Sequence, residues 1–230
     1  MPSTPQIISD LMMVMQLDHE LELMNAYKGV PFICKAKVFN IDGDNVWLKT
    51  SGPGILCLEK ERQTKVLGSD YFEPSVAHTV SVDFLKGIVI LNNFSYLGTK
   101  LGERMTVRVE PKDPIDVLLI NQTQKTSGLL ADLSLSGVGV RIAQAQYSPA
   151  LKPGTLVVTR LELMGKQIEA EGTILSVLKL DDAHRISIRF TQDRGHRLEI
   201  FRFLVDRRTQ IEHELYAEYE AVLRSAEAAA

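Results

Sequence analysis

The chain has 230 residues, 45% of them hydrophobic and 24% charged, which is ordinary for a globular protein of one large domain or two small ones. Its formal net charge of −3 argues against a general nucleic-acid binder, because such proteins carry a strong basic excess. The sequence shows no signal-peptide pattern and no apolar run near the ~20 residues that span a bilayer. We therefore expect a cytoplasmic protein that binds no nucleic-acid polymer.

Residues 1–98 predict a β-rich, split-barrel-like domain with a leading helix. Apolar residues recur at near-helical spacing from Ile7 to Tyr27, and the helix-ending residues Gly29 and Pro31 follow. The segment 62–76 gives no clear pattern. Apolar runs bounded by turn residues predict strands over 31–40, 46–48, 55–58, 79–85 and 87–91.

The cysteines and histidines of this first domain do not indicate a reactive site. Cys34 and Cys57 lie in apolar runs without the spacing of zinc ligands, so we expect two small buried side chains. His19 and His78 have no neighbour at the spacing of a base–nucleophile pair or a metal site. An enzyme built on a cofactor-binding split barrel is the alternative, but no glycine-rich phosphate loop supports it. We therefore predict no catalytic residue, no metal site and no cofactor.

Residues 99–230 predict a six-stranded antiparallel β-barrel and a long C-terminal helix, with a connector over 97–103. The helix is predicted over about 193–225, with one apolar and one charged face. Its tail either packs on the barrel or pairs with a second copy in a homodimer. Tight turns separate the predicted strands over 115–120, 128–135, 138–142, 155–164, 168–178 and 185–190.

Two short polar motifs are found in this second half. Arg104 and Arg108 form an R-x-x-x-R motif beside the connector, and Asp132, Ser134 and Gly137 form a D-x-S-x-x-G motif at a strand end. In a chain of this composition, chance yields the first motif about 0.7 times and the second about 0.05 times. The informative feature is therefore the pair of motifs in this order, between the strands of a barrel.

The residue types of these motifs suit a cyclic dinucleotide that contains guanine. The guanidinium groups of Arg104 and Arg108 can reach phosphate oxygens and the O6/N7 edge of guanine. Asp132 can accept hydrogen bonds from the guanine ring N–H and amino group, and the Ser134 hydroxyl can donate to phosphate or base. Gly137 allows a close backbone approach or a positive φ. Taken alone, the second motif is better interpreted as a plain turn with Asx-type hydrogen bonds.

The order R-x-x-x-R, then 23 residues, then D-x-S-x-x-G resembles the pattern of the PilZ domain, a bacterial receptor for cyclic di-GMP, over about residues 100–195. The preceding β-rich domain also resembles the two-domain, flagellar-brake-like type. The resemblance implies a six-stranded barrel whose arginine segment wraps the ligand and reorients the two domains. It implies an output in motility, surface polysaccharide or adhesion, through a downstream protein partner. The alternative is a PilZ-fold adaptor that binds proteins but no nucleotide.

The sequence departs from the pattern of this family at two positions. Glu103 precedes the first arginine where the family often has another arginine, which leaves open whether one or two cyclic di-GMP molecules bind. Ser187 stands on the last strand where the family often has glycine. On the same strand, Arg185 and Arg189 form a second R-x-x-x-R motif, which we interpret as two side chains on one strand face that need no function.

Overall fold

The computed structural model describes residues 4–68, 72–97, 107–122, 124–191 and 196–229. The chain divides into two compact units. Unit 1 comprises residues 1–27, 31–103 and 211–230, and unit 2 comprises residues 28–30 and 104–210. Each unit contains a closed barrel of six antiparallel strands, which confirms the predicted mainly β class.

Unit 1 is a barrel with a leading helix and one further short helix. Helix α1 spans Thr4–Gln16, and α2 spans Gly54–Glu61. The barrel closes in the order β1-β2-β3-β6-β5-β4 around a core that includes Leu23, Leu48 and Leu91. Its strands are β1 (Glu20–Tyr27), β2 (Val30–Asp42), β3 (Asn45–Thr50), β4 (Gln63–Leu67), β5 (Ser75–Asp83) and β6 (Ile88–Tyr96).

Residues 20–27 form strand β1, so the helix predicted over 7–27 is wrong in its second half. Helix α1 ends at Gln16, and Asp18 takes a positive φ of 53° in the turn that follows. Burial then alternates along β1, and its Leu23 pairs with Val66 of β4. Glu, Leu, Met and Ala, which fill this segment, are good helix formers, but pairing within a closed sheet overrides that weak preference.

The predicted strand over 55–58 is also wrong, because these residues belong to helix α2. Five successive residues, Gly54 to Leu58, are buried. A short run that is apolar throughout does not distinguish a buried strand from a buried helix. The segment 62–76, which has no clear pattern in the sequence, contains β4 and the first residues of β5.

Unit 2 contains the second barrel, which confirms the six strands predicted for this half. The strands close in the order β10-β11-β12-β9-β8-β7, so β9 lies between β8 and β12. A 3-10 turn over Gln144–Gln146 follows β9. The strands are β7 (Asp116–Ile120), β8 (Lys125–Ser134), β9 (Gly137–Ala143), β10 (Leu156–Leu163), β11 (Lys166–Lys179) and β12 (Ala183–Phe190).

Helix α3 spans Arg197–Ala229 and supplies residues to both units. The sequence assigned the whole helix to the second domain, whereas residues 211–230 group with unit 1. Within unit 1, Ile211 and Leu215 are fully buried, and Tyr219 packs against the hydrophobic core. The tail therefore packs within unit 1, and a homodimer stays a prediction.

Candidate ligand-binding site

Asp132 lies near the end of strand β8, on a barrel position where a carboxylate is almost completely buried. Its side chain is 6% exposed. Asp132 pairs with Gly139 of β9, directly after an irregularity in the β8–β9 register. A Cβ atom at Gly139 would lie 2.5 Å from Asp132 Oδ2, so the carboxylate occupies the space that a side chain would need there. A carboxylate buried to this extent requires charged or hydrogen-bonding partners.

The first partner is Arg108, the second arginine of the R-x-x-x-R motif. Its neighbour Val109 exchanges two backbone hydrogen bonds with Leu133, of 2.9 and 3.0 Å. This short antiparallel bridge sets Arg108 beside Asp132, and Arg108 Nη1 lies 3.4 Å from Asp132 Oδ1. The two motifs, 24 positions apart in sequence at these residues, therefore meet in the structure. Arg104 lies outside the described residues, as do Glu103 and residues 98–102 of the predicted connector.

A buried arginine of α3 holds the segment that carries Arg108. Arg207 is 3% exposed, and its Nε donates to the Glu110 carbonyl at 2.7 Å. Its Nη1 lies 3.3 Å from Gln210 Oε1 on the same helix. Arg207 thus connects α3 to the backbone two residues after Arg108.

The second partner of Asp132 is Arg185 of β12, whose Nη2 donates to Asp132 Oδ2. Because β9 separates β12 from β8, the arginine reaches across about two strand spacings, roughly 10 Å. The sequence-based interpretation gave Arg185 no function and did not foresee this contact of its side chain with a motif residue. The pattern of the sequence could not show this, because the contact depends on the order in which the barrel closes.

Arg141 lies on β9, the strand between β12 and β8, but its side chain pairs with a different carboxylate. Its Nη2 donates to both carboxylate oxygens of Asp182, at 2.7 and 3.0 Å. Arg185 pairs with Arg141 in the sheet, and Gly139 follows on the same side of β9 without a side chain. The missing side chain leaves the space between Arg185 and Asp132 open.

Ser134 and Gly137 build the turn between β8 and β9. Ser134 is 1% exposed, and its hydroxyl donates to the Gly137 carbonyl at 3.1 Å. The Ser136 N–H donates to Ser134 Oγ at 3.4 Å. A Cβ atom at Gly137 would collide with the Ile188 carbonyl oxygen of β12, so the glycine permits a close approach of two strands. Their part in binding a ligand stays a prediction.

The site has an excess of positive charge. One carboxylate, Asp132, faces the two guanidinium groups of Arg108 and Arg185, which are 36% and 45% exposed. Arg189, four residues beyond Arg185 on β12, is exposed, and its side chain makes no hydrogen bond or ion pair among the described residues. Guanidinium groups bind phosphate through forked, charge-assisted hydrogen bonds. The arrangement therefore suits an anionic ligand with hydrogen-bond donors for a carboxylate.

Metal-binding groups and membrane-spanning helices are both absent from the described part of the chain. No group of three or more His, Cys, Asp or Glu residues there could hold a metal ion. No helix in the same part of the chain is both long enough and apolar enough to cross a membrane.

Comparison with protein families identifies one match, the PilZ domain, over residues 103–206. The match covers all of Arg104, Arg108, Asp132, Ser134 and Gly137, together with the barrel of unit 2. It begins one residue before the first arginine of the motif. Comparison with curated proteins gives no match.

Three solved structures are similar to the chain at low identity. The complex of K. pneumoniae MrkH with c-di-GMP has a TM-score of 0.47 and 14% identity, covering 92% of this chain and 97% of that one. The Bacillus subtilis inhibitor of motility, MotI/DgrA, has a TM-score of 0.44 and 12% identity, with 83% and 96% covered. Escherichia coli YcgR in complex with c-di-GMP has a TM-score of 0.42 and 15% identity, with 96% and 95% covered.

Proposed function

Since the chain carries a PilZ domain over residues 103–206, we propose that the protein is a receptor for cyclic di-GMP. Arg104 and Arg108 bind the phosphates and the O6/N7 edge of guanine, and Asp132 accepts from the guanine ring N–H and amino group. The main support is the contact between Arg108 and the buried carboxylate of Asp132, at a place where positive charge is in excess. A cyclic dinucleotide supplies both the anionic phosphates and the donors that these groups require.

In this proposal the protein senses its ligand and does not convert it, and no cofactor takes part. Ser134 and Gly137 keep the β8–β9 turn in place under Asp132, which is the role that their contacts support. The arginine segment wraps the ligand when it binds, and this changes the arrangement of the two units. A downstream protein partner responds to that change in arrangement.

Isothermal titration with cyclic di-GMP tests the binding step. We expect low- to sub-micromolar binding by the wild type, with GTP as the control nucleotide. Arg108→Ala should weaken binding about 10- to 100-fold, because a bidentate contact contributes on the order of 1–3 kcal/mol. Arg104→Ala should weaken binding as well. The fitted stoichiometry distinguishes one bound ligand from two.

A matched control is Arg160→Ala, which removes an exposed arginine of β10 that pairs with Glu169. This variant should bind as the wild type does. A folded wild-type protein that does not bind cyclic di-GMP would refute the receptor and favour the adaptor that binds proteins alone. Small-angle X-ray scattering with and without ligand tests the second step, and identical curves at saturation would refute the change in domain arrangement.

A further inference from the structure

Arg185 lies outside both motifs, yet it makes the closer of the two arginine contacts to Asp132. We propose that Arg185 is the positioning residue that orients the Asp132 carboxylate, and thereby sets the selectivity of the site for guanine. The choice of guanine as the base rests on the proposed function, whereas the pairing of Arg185 with Asp132 does not.

Arg108 and Arg185 contact different oxygens of the Asp132 carboxylate, and this supports the positioning role of Arg185. Arg108 approaches Asp132 Oδ1 at 3.4 Å, which is long for a charge-assisted hydrogen bond, while Arg185 contacts Oδ2 directly. Arg108 is also the residue that is expected to turn towards a bound phosphate. When it does so, Arg185 remains as the cation that offsets the charge of a carboxylate only 6% exposed.

Two residues of β9, Arg141 and Gly139, leave the space between Arg185 and Asp132 open. The neighbouring cation Arg141 is engaged by Asp182. Gly139 presents no side chain between Arg185 and Asp132, and a Cβ atom there would meet the carboxylate itself. The contact of Arg185 therefore holds the Oδ2 oxygen of the carboxylate on the side of β12.

Orientation matters because guanine offers two donors side by side, the ring N1–H and the 2-amino group. A carboxylate accepts from both only when its plane is aligned with the base. Hypoxanthine keeps N1–H, O6 and N7 but lacks the 2-amino group. Comparing cyclic di-GMP with cyclic di-IMP, its hypoxanthine counterpart, therefore measures the contact that depends on the orientation of Asp132.

The experiment measures both dissociation constants by titration for the wild type, Arg185→Met and Arg189→Met. We expect the wild type to prefer cyclic di-GMP about tenfold, the value of one hydrogen bond to a charged group. Arg185→Met should lose most of that preference. Arg185→Lys should recover part of it, because lysine retains the charge but not the planar fork. Asp132→Ala, which leaves no acceptor at this position, is the reference for complete loss.

Arg189→Met is the matched control, because Arg189 lies on the same strand four residues further and its side chain makes no hydrogen bond or ion pair among the described residues. It should keep the wild-type preference even if it lowers both affinities through a lost phosphate contact. A preference retained in Arg185→Met would overturn the proposal, whatever happens to the affinity itself.

A ligand-independent measurement separates this proposal from the receptor proposal. Urea unfolding midpoints of Arg185→Met, Asp132→Asn and the double variant form a double-mutant cycle. We expect the double variant to shift the midpoint by clearly less than the sum of the single shifts. Additive shifts would overturn the role of Arg185, with or without binding. Non-additive shifts together with no binding by the wild type would support the pair and refute the receptor.

Discussion

At the scale of single residues, two glycines of β9 differ in what an added side chain would meet. At Gly139 the Cβ atom would lie 2.5 Å from the carboxylate of Asp132, which is the end of a side chain and can move. At Gly137 it would meet the Ile188 carbonyl, which belongs to the backbone of β12 and cannot move without separating the strands. Gly139 therefore leaves room for the Asp132 carboxylate, and Gly137 leaves room for the backbone of β12.

We therefore predict that alanine at Gly139 mainly affects ligand binding, whereas alanine at Gly137 mainly affects stability. Gly139→Ala should displace Asp132 and weaken cyclic di-GMP binding about tenfold, at a cost below about 1 kcal/mol in unfolding free energy. Gly137→Ala should cost about 1–3 kcal/mol, because the added methyl group overpacks two paired strands. Titration and urea unfolding of both variants provide the measurement. Equal stabilities of the two variants would contradict the assignment of their roles.

At the scale of elements, the first part of α3 supports the site through Arg207. This side chain is 3% exposed and donates to the Glu110 carbonyl, two residues after Arg108. Removing a buried donor leaves that carbonyl with one partner fewer, which costs about 1–3 kcal/mol. The cost should appear in binding as well as in stability, because Arg108 would lose part of its backbone support.

We predict that Arg207→Met lowers the free energy of unfolding by about 1–3 kcal/mol and weakens cyclic di-GMP binding severalfold. Arg202→Met is the control, because Arg202 lies on the same helix and is exposed. Urea unfolding and titration of both variants test this. If Arg207→Met were to lose stability but keep full affinity, the helix would support the fold without supporting the site.

The second part of α3 is held in unit 1 by a polar cluster around Glu218. The Tyr27 hydroxyl donates to Glu218 Oε2 at 2.7 Å, and Lys60 Nζ lies 2.5 Å from Glu218 Oε1. Lys60 Nζ also lies 5.3 Å from the centre of the Tyr27 ring. Burial, and then the hydrogen bond to Glu218, raise the pKa of Tyr27 above its ordinary value of 10.0.

The sign of this shift gives a prediction at alkaline pH. A raised pKa means that folding favours the protonated phenol, so its contribution is complete below pH 10 and is lost as pH rises above it. Tyr27→Phe should cost about 1 kcal/mol at pH 8, and this difference from the wild type should shrink as pH rises above 10. Chemical unfolding at several pH values measures it, with Tyr216→Phe, which removes an exposed hydroxyl, as control. A difference that does not change with pH would refute the prediction.

At the scale of the whole molecule, the spectroscopic and chemical probes lie in one unit and the candidate site in the other. Trp47, Cys34 and Cys57 belong to unit 1, whereas Arg108 and Asp132 belong to unit 2. Both cysteines are buried, and burial raises the pKa of the Cys57 thiol to about 12. Trp47 fluorescence and thiol reactivity therefore report the unfolding of unit 1.

Because α3 has buried residues in each unit, we predict that the two units unfold in one cooperative transition. Cyclic di-GMP at 100 times its Kd should then raise the free energy of unfolding by about 2.7 kcal/mol, as measured by Trp47 fluorescence. Far-ultraviolet circular dichroism should give the same midpoint. An unchanged Trp47 midpoint beside a shifted dichroism midpoint would show that the units unfold separately.

The fold could be predicted from the sequence in segments whose residue pattern fits only one type of secondary structure. Alternating residues between tight turns located the six strands of the second barrel, and a sustained helical period located α3. The pattern was wrong over 20–27 and 55–58, where helix-forming residues make a strand and an apolar run makes a helix. In both segments, pairing or burial against distant residues decided the structure.

By itself, the sequence determined the two motifs, their order and the barrel in which they lie, because these depend on residues close together in the chain. The meeting of Arg108 with Asp132 also followed from the motif pair, and the Val109–Leu133 bridge confirms that they are neighbours. Only the tertiary structure decided that Arg185 joins them. That contact joins residues 53 positions apart and exists because barrel closure orders the strands β12-β9-β8, with no side chain at Gly139 in between.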